Sequence, residues 1–213
     1  MKTDDLIHLL AADTVPVQRH VAARRLALGL LLAVPISVAL MATVLGVNPA
    51  LKAYLSQPMF WVKFGAPLLM ALMALPLVAR LGRPGAHTRT AWVLWVLPIG
   101  VLWALGLLSL ATAQAADLPT LVLSRTWRVC AENIAALSLP VFLAAIWTLK
   151  GMAPVRPVLA GAGAGALGGA VGAAVYAIHC PELAAPFIAV WYVLGMALPV
   201  AAGALVGPRL LRW

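Results

Sequence analysis

Charged side chains are scarce in this sequence: 10% of its 213 residues are Asp, Glu, Lys or Arg, against about 25% in a soluble domain. With 64% of the residues hydrophobic, a water-soluble globule would lack the polar surface to cover itself, and that class is excluded. The mean hydropathy of +1.01 points instead to a polytopic membrane protein, whose apolar side chains are covered by lipid. Acidic residues are the rarest charges, six against fifteen basic ones. The resulting net charge of +9 could suit nucleic acid, but in a membrane chain Lys and Arg mark the loops that stay in the cytoplasm. Nucleic acid is therefore set aside as a partner.

Other absences narrow the function. Cysteine occurs twice, with no C-x-x-C pair of the kind a thiol oxidoreductase needs. There is no G-x-S-x-G, no H-E-x-x-H and no phosphate-cradling loop, because the glycines near residue 165 lack the Lys-Ser/Thr ending of a P-loop. No row of acidic or histidine side chains crosses the middle of the apolar runs, so a proton-coupled transporter has no relay. These absences together argue against an enzyme.

What is present is six apolar runs, at about 26–47, 59–79, 91–112, 129–149, 157–178 and 186–207. Each is near the roughly 20 residues that cross a bilayer as a helix, and none alternates as a barrel strand would. The expectation is an all-α membrane protein of six transmembrane helices, residues 26–213, preceded by a cytoplasmic segment, 1–25. The first run is no cleaved signal, since it follows a polar leader carrying Asp4, Asp5 and Asp13. Eleven basic residues (among them Arg24, Arg25, Arg80, Arg83, Arg89, Lys150 and Arg156) fall on one side and four (Lys52, Lys63, Arg125 and Arg128) on the other. That split predicts both termini in the cytoplasm.

Within the runs, Pro35, Pro67, Pro76, Pro98, Pro140 and Pro199 predict loosened or kinked helices. Trp61, Trp92, Trp127 and Trp213 fall near span ends, whereas Trp95, Trp103, Trp147 and Trp191 lie further in, as packing residues. Gly161, Gly165, Gly169 and Ala173 recur at fourfold spacing in span five. Such a stripe lets a helix approach closely, either within the bundle or along a homodimer seam.

Ionisable residues inside spans are costly and draw attention. Lys63 and Glu132 lie at similar depth, where they could form an intramembrane ion pair; otherwise Lys63 snorkels to the headgroups and Glu132 faces water. Cys130 and Cys180 both fall on the outer, oxidising side, in the company of Glu132, His179 and Glu182. That group could form a disulfide or take a metal ion on Cys130, Cys180 and His179; buried thiols that do neither are the third reading. On the inner side, Thr3 can cap a short helix with Asp4 and Asp5 in its first turn and Leu6, Ile7, Leu9 and Leu10 as an apolar stripe, ending near Pro16. About ten residues are too few for a stable isolated helix, so the segment is expected to fold against a host, for instance a partner's groove.

Several pieces form an ordered set: Met1 to Ile7, Phe60-Trp61-x-Lys63, Arg83-Pro84-Gly85, Cys130, Tyr176 to Cys180, Trp191-Tyr192 and Gly207 to Trp213. Over essentially its whole length the chain resembles the NrsF family of proteobacterial inner-membrane anti-sigma factors. The resemblance implies a multi-pass inner-membrane regulator that holds an extracytoplasmic-function sigma factor of the sigma-F type and releases it under stress. It also implies that Cys130 and Cys180 sense oxidants or heavy metals, a metal ion being at most the signal and not a resident cofactor. Binding of the sigma factor is then expected at the Thr3–Leu10 segment with Arg83 in the Arg80–Arg89 loop. The rival reading is a membrane thiol- or metal-handling protein, a carrier or a disulfide exchanger, without a sigma partner.

Overall fold

The computed structural model describes Thr3, Asp5, Ala12 and residues 21–83, 85–152 and 154–212. Among them all regular structure is helical. The six expected runs become six long helices: α1 (Val21–Leu40, extended by a π turn, Met41–Leu45), α2 (Pro58–Leu81), α3 (Arg89–Thr112), α4 (Trp127–Lys150), α5 (Pro157–Tyr176) and α6 (Ala185–Leu210). By length and composition each is able to cross a membrane. α2 and α5 begin with proline in the first turn, where its missing N–H leaves no bond unmade. α1 begins at Val21, earlier than expected, because Ala22 to Arg25 are helix formers and the last breaker before them is Pro16. Thr3, Asp5 and Ala12 are helical and exposed; Asp4, Leu6, Ile7, Leu9 and Leu10 lie outside the described residues, as do Pro84 and Trp213.

The order of burial is set by α5. Its sequence from Ala160 to Ala174 contains only Ala, Gly, Leu and Val, and nearly every residue from Ala160 to Tyr176 is buried. A helix apolar on every side belongs at the centre. On the α6 side, a Cβ added to Gly161 would overlap the Gly203 carbonyl, one on Gly203 would overlap the Gly161 carbonyl, and one on Gly165 would overlap that of Pro199. On the α4 side, a Cβ on Gly172 would lie 2.6 Å from the Ile134 oxygen; towards α2, one on Gly163 would strike Leu81. The expected stripe is thus used within the bundle. α2, α4 and α6 occupy the faces of α5 that carry it.

α1 lies against α4, with Gly29 facing Ala144, and α3 packs on α2 and the start of α6. The prolines expected to loosen the helices are accommodated inside them, with Pro67, Pro98 and Pro199 buried. The outer surface is apolar: Leu31 is 70% exposed and Leu205 73%, and such side chains recur along the five helices around α5, far beyond the few hundred Å² of apolar patch a soluble monomer shows. Trp103 and Trp147 belong to that outer surface, which corrects the expectation that they pack inside. Trp95 is buried as expected, and Trp191 donates its N–H to the Val122 carbonyl at 2.8 Å.

Candidate functional site: a buried thiol pair held by a lysine

At the end of the bundle where α2 and α4 begin, five side chains meet with no solvent exposure: Lys63, Cys130, Tyr176, Cys180 and Tyr192. Helical spacing puts the first two there. Lys63 follows Phe60 by three residues and precedes Pro67 and Met70 by four and seven, so it shares the buried face of α2. Cys130 is the first member of the Cys130, Ile134, Leu137, Val141, Ala145 face of α4. Tyr176 ends α5, and one further turn, in which the Cys180 N–H bonds the Tyr176 carbonyl at 3.0 Å, brings Cys180 back over the same spot. Tyr192 arrives from the π turn Ile188–Tyr192 of α6; such widened turns cluster at functional sites.

Lys63 is the fastener. Its Nζ donates to the Cys180 carbonyl at 2.5 Å and to the Glu182 carbonyl at 2.9 Å, tying α2 to the loop between α5 and α6. The ammonium also stands 5.8 Å from the centre of the Tyr192 ring, within cation–π range, and close to the Cys180 sulfur. Cys130 and Cys180 are free thiols in mutual contact. The Cys180 thiol, in the loop, is lowered to about 6. The hydrogen bond from Cys130 is the largest cause, helped by the Lys63 charge, the Glu182 backbone N–H and Tyr192, while burial opposes it. The Tyr176 and Tyr192 rings lie 5.9 Å apart over the pair. Both hydroxyls are buried at the pair, that of Tyr192 beside the Cys180 sulfur.

Two thiols in contact, one of them acidic, form a site poised for two-electron oxidation to a disulfide. Its setting can be matched to known proteins. Residues 10–213 fit the family described as NrsF, negative regulator of sigma F. The chain belongs to the NrsF family. "Probable anti-sigma-F factor NrsF" of Azospira oryzae is 45% identical over 213 residues and "Anti-sigma-F factor NrsF" of Caulobacter vibrioides 37% over 214, each alignment covering 100% of both chains. No solved structure matches the chain. An NrsF-family protein is a negative regulator with a sigma factor as partner, a binding protein and not an enzyme. The rival reading without a sigma partner falls with that assignment.

In this NrsF-family chain the other expected site residues disperse. The Lys63–Glu132 ion pair is not formed, and Lys63 does not snorkel. Residues two apart on a helix point about 200° apart, so burying Cys130 turns Glu132 outward, onto the exposed face shared with Ala136, Leu139 and Leu143. His179 is half-buried with Nδ1 2.8 Å from the Gly46 carbonyl and its ring beside Tyr176. Gly46 can present that carbonyl because it adopts φ +81°, which other residues rarely reach. The Glu182 carboxylate faces the Thr126 hydroxyl at 3.5 Å, while its backbone carbonyl serves Lys63. Among the described residues no three His, Cys, Asp or Glu side chains converge, so the expected Cys130, Cys180 and His179 metal set is not assembled. Arg83 lies exposed at the far end. Tyr176 and Tyr192 carry part of the family resemblance but were not expected in the site, since an aromatic in an apolar run carries no mark of what it faces.

Proposed function

We propose that this chain is an integral protein of the bacterial inner membrane, termini in the cytoplasm, that sequesters an extracytoplasmic-function sigma factor of the sigma-F type. It releases that factor when Cys130 and Cys180, on the periplasmic side, react under oxidative or heavy-metal stress. The six apolar helices of membrane-crossing length and the apolar outer surface around α5 support the membrane reading, and the clustering of basic residues at the end away from the thiols supports the orientation. The sigma factor is held by the segment from Thr3 to Leu10 together with Arg83.

The observation that carries the reading is the buried contact of Cys130 on α4 with Cys180 on the α5–α6 loop, fastened to α2 by Lys63. A peroxide oxidises one thiolate to a sulfenic acid, releasing a hydroxide or alkoxide. The second thiol displaces water to give the disulfide, so two thiols lose two electrons and two protons and the peroxide O–O bond is reduced. The negative charge beside Lys63 then disappears and its ammonium is left with two carbonyls and the Tyr192 ring, none of them charged, a poor state for a buried cation. α2 repacks against the loop, and α2 runs to the Arg80–Arg89 end. A thiophilic metal ion would have the two thiolates as ligands, and the adjacent ammonium favours the oxidative route over a divalent cation. A 100-fold release needs about 2.7 kcal/mol of coupling, inside the 1–3 kcal/mol usual for allostery.

The test is co-purification. A sigma factor is expected to accompany the full chain and to be lost on deleting residues 1–13 while the helical bundle stays intact. A deletion variant that still retains it contradicts the assignment of the N-terminal segment.

A further inference from the structure

At the end opposite the thiols, the α2–α3 loop and the α4–α5 loop enclose a pocket of about 410 Å³. Arg80, Arg83, Arg89 and Arg156 line it, with His87, and among the described residues no carboxylate does. None of the four guanidinium groups has an ion-pair partner among the described residues. Two helices also start here, α3 after Thr88 and α5 after Arg156, and neither first turn is capped by a side chain. Their unsatisfied N–H groups add donors and partial positive charge to the same region. Four like charges gathered around one cavity repel each other, and an anion with several acceptor oxygens removes that repulsion. Phosphate is among the anions whose oxygens match the guanidinium fork bidentately.

The position of the pocket selects the carrier of that phosphate. It opens where the apolar stretches of α2, α3 and α5 end, and its wall includes Leu81 and the 63% exposed Val155. A headgroup entering from the membrane meets cations at its phosphate and apolar side chains at its glycerol end, whereas a free phosphate has no use for Leu81 and Val155. We infer that this pocket binds the phosphate headgroup of an anionic phospholipid. The inference rests on the membrane reading above. Headgroup occupancy would fix the Arg80–Arg89 loop, the inner end of the helix that Lys63 fastens at the thiol end.

The test uses the full chain, extracted in detergent, delipidated and exposed to phosphatidylglycerol or phosphatidylcholine of the same acyl chains, with retained lipid read by native mass spectrometry. Phosphatidylglycerol is expected to be retained over phosphatidylcholine. The Arg80→Gln/Arg156→Gln variant should lose roughly tenfold or more of that preference, given about 1 kcal/mol per basic residue near an anionic surface. Arg209→Gln/Arg212→Gln, at the same end but outside the pocket, should keep it, and circular dichroism should confirm that both variants are folded. If the pocket pair fails to fold, Arg89→Gln alone is measured, with a loss of about half that energy expected. Equal retention of the two lipids by the wild-type chain overturns the inference, as does displacement of phosphatidylglycerol by excess inorganic phosphate, which would mark a free-anion site. Loss of sigma co-purification in the pocket variant with lipid retention unchanged also overturns it, assigning the pocket to the partner. A chain that washes off membranes in alkaline carbonate fails the membrane reading and this inference together; one that stays in the bilayer without headgroup preference fails this inference alone.

Discussion

A wholly buried ammonium is tolerated only where other groups replace its water. Lys63 has two carbonyls, an aromatic face and an acidic thiol. Lys63→Met keeps most of the volume and removes the charge, leaving the Cys180 and Glu182 carbonyls unpaired. At about 1–3 kcal/mol for each unsatisfied buried group, the variant should unfold in detergent at clearly lower temperature or denaturant than wild type. The thiols give a second prediction. Cys180 is lowered to about 6 when folded, against about 8.5 in an unfolded chain, so its thiolate stabilises the fold fully above the unfolded value. That contribution fades as pH falls and is lost on passing through about 6. Disulfide formation by an added oxidant should therefore be fast at neutral pH and fall away below about 6, and in Lys63→Met the midpoint should move up. A wild-type midpoint near 8.5 would contradict the geometry described for Cys180. The sequence marked both cysteines and Lys63 but left Lys63 between a pair with Glu132 and the headgroups, although the two-residue offset from Cys130 already turns Glu132 off the inner face. Which of Lys63's neighbours supply carbonyls depends on the path of the α5–α6 loop, which no local pattern records.

Among the elements, α5 tests the packing most sharply. Gly165→Ala places a Cβ against the Pro199 carbonyl, and overpacking of that kind costs about 1–3 kcal/mol. Gly100→Ala on α3 meets nothing within 4 Å and should be neutral or gain up to about 1 kcal/mol in helix propensity. Thermal unfolding of the two variants in one detergent checks the contrast, and equal effects would mean that α5 is not the central helix. The six helices were legible in the sequence because lipid-length apolar runs leave few alternatives, and the small-residue stripe of α5 announced close approach. Which helices it approaches was not legible, since Gly offers the same surface to a neighbour in the chain as to a second copy. The reciprocal fit of Gly161 and Gly203 decides it. The exposed Trp103 and Trp147 show the complementary limit, for in lipid an apolar residue is at home on either face of a helix.

At the scale of the whole molecule, the chain has two chemically distinct ends joined by long helices: a buried thiol pair at one and an arginine-lined pocket at the other. Family membership supplies the sigma factor, and the proposed route from the thiols runs along α2, with Lys63 near its start and Arg80 in its last turn. Coupling between the ends is the central claim. It is tested most directly by purifying the complex of the full chain with its sigma factor and titrating in a peroxide. Bound sigma factor and the Cys130–Cys180 disulfide are then measured on the same samples, for wild type and for Cys130→Ser/Cys180→Ser. Wild type should release the sigma factor in step with the disulfide, with affinity falling roughly 100-fold, while the double variant binds as tightly as reduced wild type and does not respond. Equal release from the double variant, or a disulfide that forms fully with the sigma factor still bound, would contradict it.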